Sequence, residues 1–246
     1  MELFAYLAAF AIGVLMGTIA VGGVLLPPVL IYTFGLSARE AMATTLGTLV
    51  FVSVVATYLY RKMDAIDLRS ALLLSLGSLI GGPLGVKLNL SMNEAQLLLL
   101  LSLFLLFSGA YILSQDRLVK SHHNWKQPSV ATLFFLGLCI GVASGLTGIG
   151  GPLLSVPALI VLRFPVLLAI GTSQFSMFFA AASGTAGNII ADTINISLLF
   201  TITPLELAGV WIGTRIVHKL RTGQLKKIVA FVCLTFGAGM LSNFSL

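Results

Sequence analysis

Apolar stretches follow one another along nearly the whole chain: Leu3 to Phe34, Ala41 to Tyr60, Leu68 to Val86, Gln96 to Leu113, Val130 to Leu162, Val166 to Ile190, Ile194 to Ile216 and Leu225 to Leu241. A helix needs about 20 apolar residues to cross the hydrocarbon core of a bilayer, and most of these stretches have that length. The first and fifth are longer, and glycines and prolines interrupt both. With 14 Lys and Arg and 8 Asp and Glu in 246 residues, 9% of the chain is charged, against about 25% in soluble domains. Such a chain cannot cover itself with a water-facing surface, so it is expected to be an all-α integral membrane protein.

The net charge of +6 does not point to nucleic acid, because the basic residues sit in short clusters between apolar runs, as membrane-protein loops do. Cys139 and Cys233 lie inside apolar runs, and His122-His123 has no ligand-spaced partner, so neither a metal site nor a cofactor is expected. Met1-Glu2 places no basic residue ahead of the first stretch, the mark of a retained segment rather than a cleaved signal.

Displaced on itself, the sequence repeats. Gly22-Gly23 returns as Gly150-Gly151, Thr44 as Thr172, Asp64 as Asp192, Gly81 and Gly85 as Gly209 and Gly213, at a constant spacing of 128 residues (Gly22 to Gly150). An ungapped register over that length predicts two homologous repeats of four apolar segments, 1–114 and 130–246, joined by a basic linker at 115–129.

The basic residues suggest how the halves are oriented. If every segment crossed the membrane once, six Lys and Arg would face eight. If the first and fifth segments are instead re-entrant hairpins broken at their glycines, the loops holding Arg61 to Arg69, Arg117 to Lys126, Arg163 and Arg215 to Lys227 gather on one side. Only Arg39 and Lys87 then lie opposite. The second arrangement obeys the positive-inside rule. It predicts inverted-topology repeats with basic loops in the cytoplasm.

In Gly148-Ile149-Gly150-Gly151-Pro152 and its partner around Gly22 and Gly23, glycine permits a tight reversal, and proline suits the first helical turn. Free amides and the positive dipole end at membrane depth would hold an anion without a buried lysine; the alternative is that the glycines serve close helix packing alone. Thr44-Thr45 and Thr172-Ser173-Gln174 occupy matching places early in the second segment of each half, as oxyanion ligands or as hydroxyls bonded to their own helix. Glu206, two residues after Pro204, either carries a proton coupled to anion movement or pairs with a polar neighbour. Lys87 and Arg215 match across the repeat and either snorkel to the headgroups or guide anions to the mouths. Asp64 and Asp192 are read as loop-turning residues.

The order of these motifs, a G-x-G-G-like hairpin, an A-x-x-T-S-like segment (Ala169 to Ser173) and a G-x-x-x-G-x-[KR] helix (Gly209 to Arg215), each with a counterpart in the other half, resembles the TauE/SafE family of sulfite and organosulfur-anion transporters. The resemblance runs over nearly the whole length. It implies a bacterial or archaeal plasma-membrane carrier of a small sulfur-containing anion such as sulfite, thiosulfate or a sulfonate, moved by alternating access, with H⁺ a candidate coupling ion. The motifs match best at Gly150, Gly151, Thr172 and Ser173. Ala20, Val24 and Thr45 depart from the family pattern in the first half. A passive anion channel would share the same half-helices, and a membrane-embedded enzyme is disfavoured because HExxH, GxSxG and paired aspartates are missing.

Overall fold

The computed structural model describes residues 2–20, 22–118, 128–216 and 222–242. These residues form ten α-helices: α1 Glu2–Ile19, α2 Leu26–Phe34, α3 Ala38–Arg61, α4 Leu68–Ser91, α5 Glu94–Leu118, α6 Val130–Thr147, α7 Pro152–Val161, α8 Val166–Ile190, α9 Ile196–Ile216 and α10 Thr222–Ser242. Six helices among the described residues, α3, α4, α5, α6, α8 and α9, are long and apolar enough to cross a membrane. Most of the linker, His122-His123 included, and Lys219 and Arg221 lie outside the described residues.

Local chemistry sets several boundaries. Ser37 and Glu40 form a reciprocal capping box at the start of α3, and Asp67 and Ser129 cap α4 and α6 through their side chains, meeting amides that would otherwise lack partners. Asp64 and Asp192 turn their loops with φ of 51° and 52°.

The first and fifth apolar stretches are interrupted where the glycines predict. α1 gives way to a 3₁₀ turn at Gly22–Leu25 before α2, and α6 ends four residues before Gly151 caps α7. Each short helix returns beside the beginning of the long helix before it. The ring of Phe34, last residue of α2, lies 6.5 Å from Tyr6, and Leu159 and Phe164 share a cluster with Leu133.

The two halves are laced together. α1 packs along α9 and α6 along α4, while α3 pairs with α8 and α5 with α10. Glycine makes the first two contacts so close that an added Cβ at Gly17 would stand 2.5 Å from Val210 O, and one at Gly141 2.6 Å from Ser78 O. These are the small-residue seams by which membrane helices approach without a hydrophobic driving force. In the α5 and α10 pair, Gly109 faces Ala230 whereas Gly237 faces Ser102, so these helices run antiparallel.

The ends of the bundle are tied across the halves as well. The amide of Asp67 donates to Thr172 Oγ1 and that of Asn195 to Thr44 Oγ1, both at 3.0 Å. Within the first half, the amide of Ala38 donates to Glu94, and Arg39 Nη2 donates to Met92 O.

Candidate functional site

Gly148 closes α6 with φ 67°, and a Cβ there would collide with Met42 O. Gly150 follows at φ 87°. Only glycine takes both positions without strain or collision. α7 then starts from Gly151 and Pro152. Leu154 and Ser155 donate to Gly151 O, while the amides of Gly151 and Leu153 donate to no other described residue, as the first turn of a helix leaves them.

The first half solves the same problem differently. Ala20 holds φ 61° in the place of Gly148, which costs a non-glycine residue on the order of 1 kcal/mol. Gly22 and Gly23 lie in the 3₁₀ turn, and α2 has proline in its first turn. The departures from the glycine-rich pattern thus coincide with a tighter, differently wound break.

The two breaks abut. A Cβ on Gly23 would stand 3.1 Å from Ile149 O and 3.4 Å from Leu49 Cδ2, and one on Gly150 2.7 Å from Leu49 Cδ1 and 3.2 Å from Met177 Sδ. Leu49 and Met177 are counterparts in the repeat, so α3 and α8 frame the junction with matching side chains. Gln174 Nε2 donates to Met16 O at 3.3 Å, just before the first break. Its Oε1, Ser173 Oγ and Ser144 Oγ are buried without hydrogen-bond partners. Ser144 was not singled out from the sequence, although it lies one helical turn before Gly148 and matches Met16 in the repeat.

The remaining candidates are dispersed. Thr44 and Thr172 accept the cross-half bonds described above, and Thr45 bonds back to Ala41 O at 2.8 Å, so all three hydroxyls already have partners. Lys87 is exposed, and the Arg215 guanidinium lies 3.6 Å from the centroid of the Trp211 ring, placing both basic groups on outer faces. Glu206 is fully buried, with both carboxylate oxygens unpartnered. Among the described residues no cluster of three metal-ligating side chains occurs.

Interrupted helices whose ends meet beside unpartnered hydroxyl and amide groups, inside a bundle of membrane-length apolar helices, are a feature of membrane transporters, in which irregular backbone is kept within protein or along a cavity. The model of the family described as Sulfite exporter TauE/SafE matches residues 5–240, and the chain belongs to that family. It is 24% identical to the probable membrane transporter protein YunE of Bacillus subtilis, covering 94% of this chain and 95% of that one. A probable membrane transporter protein of Xylella fastidiosa is 27% identical over 89% of this chain and 84% of its own length. Another, of Methanocaldococcus jannaschii, is 23% identical over 96% and 93%. No solved structure matches. These relatives are named as transporters, and this chain is a membrane transporter rather than an enzyme.

Proposed function

We propose that the protein is a secondary carrier that moves a small sulfur-containing anion, such as sulfite, thiosulfate or a sulfonate, across the plasma membrane by alternating access. The anion lies where the two broken helices meet, held by the free amides of Gly151 and Leu153 and by Ser173 and Gln174, with Gly22, Gly23, Gly148 and Gly150 letting the backbones approach. The observation that carries this reading is the contact of Gly23 with Ile149 O beside buried polar groups that have no partner in the protein. Neutral donors suit an ion that must leave again, because a buried lysine would bind it at a cost in desolvation that amide dipoles do not incur.

Residues 1–114 and 130–246 act as inverted repeats, each opening with a re-entrant hairpin. The return of Phe34 to Tyr6 and the antiparallel pairing of α5 with its counterpart α10 support this topology. Inverted halves of like structure can exchange inward-open and outward-open forms of similar energy. The site residues are closed off from solvent, as in an occluded intermediate.

The test is counterflow in proteoliposomes with labelled sulfite, thiosulfate and sulfonates. Trans-acceleration of one of these anions is expected, and Gly151→Leu should abolish it. A mutant that exchanges every anion as well as the parent would place the site elsewhere. Flux without trans-acceleration would identify a channel.

A further inference from the structure

Glu206 lies in α9 beyond Pro204, with none of its surface exposed and neither carboxylate oxygen hydrogen-bonded. The Thr48 hydroxyl of α3 lies beside the carboxyl and donates to Thr45 O at 2.9 Å. From α1, Gly13 packs against the Glu206 backbone. α1 and α3 are the helices packed on α9, and their described titratable groups are distant. Tyr6 on α1, and Arg39, Glu40, Tyr58 and Arg61 on α3, are each about two helical turns or more from the Gly13 and Thr48 contacts, while the Tyr60 hydroxyl reaches α1 one turn beyond Gly13 and is spent on Gly17 O at 2.9 Å. Arg215, on α9 itself, stacks on Trp211. Among the described residues of these helices no cation therefore neutralises the carboxylate, and the one hydroxyl beside it is that of Thr48.

The acid is peculiar to one half. Its counterpart in the repeat, Ser78, donates to Gly137 O at 2.9 Å and is satisfied. Glu206 also adjoins the proposed anion path. Leu49, next to Thr48, touches Gly23 and Gly150, and Met16, one turn beyond Gly13, touches Gly22 and Gly23.

A carboxylate enclosed without partner or hydrogen bond is costly when ionised and far less so when neutral. A bound anion in the same closed bundle adds repulsion, which low dielectric strengthens. We infer that Glu206 is the proton carrier of this transporter, neutral whenever the anion is enclosed, so that anion and proton cross together in the same direction. A carboxylate oxygen takes the proton from water on one side and returns it to water on the other, when that side opens and the anion leaves. The inference rests on the carrier reading above.

The full chain in proteoliposomes tests it, with thiosulfate and methanesulfonate as probes, because both stay ionised at neutral pH and bring no proton of their own. An inward gradient of either anion is expected to acidify the lumen in wild-type vesicles, and an acidic exterior of about one pH unit to drive up to about tenfold accumulation of methanesulfonate. Glu206→Gln, which imitates the neutral acid, should keep exchange at equal pH but lose both proton movement and accumulation; Glu206→Asp should retain them. Wild-type exchange without lumenal acidification, or accumulation by Glu206→Gln equal to wild type, overturns the inference while leaving the carrier reading intact. Failure of the wild type to exchange any anion overturns both.

Discussion

The backbone amide of Asn195 donates to the hydroxyl of Thr44 across 3.0 Å, fastening the loop after α8 to the start of α3. Asp67 and Thr172 repeat the bond at the opposite end of the α3 and α8 pair. Thr44 and Thr172, which the sequence left open as anion ligands or as hydroxyls bonded to their own helix, here accept bonds from the opposite half.

Thr44→Val and Thr172→Val should each lower thermal stability in detergent by about 1–3 kcal/mol, because a part-buried amide loses its acceptor. Thr→Ser at either position should recover most of the loss. Unchanged melting in both valine variants would show that these bonds contribute nothing.

The glycines divide into those the fold requires and those it tolerates. Gly148→Ala places a Cβ against Met42 O at φ 67° and is expected to cost more than about 2 kcal/mol, combining left-handed strain with a backbone collision. Gly239→Ala, in α10 with nothing within 4 Å of the added carbon, should stabilise by roughly 0.5–1 kcal/mol through helix propensity alone. Denaturation of the two variants in the same detergent gives the comparison. A tolerated Gly148→Ala would contradict the geometry of the second break.

Impermeant thiol reagents applied to intact cells check the topology. In a background without the natural cysteines Cys139 and Cys233, Lys62→Cys and Arg163→Cys should both be protected, and Asn93→Cys and Ser197→Cys both labelled; all four positions are exposed. Labelling at only one of Lys62 and Arg163 would restore the scheme in which each apolar stretch crosses once.

Identical small residues recur in the sequence at one spacing, and the structure puts them in like contacts: Gly13 against Glu206 and Gly141 against Ser78, Gly109 against Ala230 and Gly237 against Ser102. The breaks were legible because glycine beside proline has few uses inside an apolar run. The partners were not. Whether the Thr172 hydroxyl faces a ligand or the amide of Asp67 depends on which loop the opposite half delivers to it, and no local pattern encodes that. The isolation of Glu206 was hidden for the same reason, since it follows from what α1 and α3 fail to offer. Ala20 in a left-handed conformation contradicts its own propensity and shows tertiary packing overriding local preference.

The seating of α1 on α9, mirrored by α6 on α4, bears on how the protein is made. α1 leaves the ribosome well before α9, yet its glycine seam has no matching surface until α9 has been inserted. Until then α1 must wait among lipids or beside the insertion machinery. A message truncated before α9 would yield a product whose first helix has no native seat.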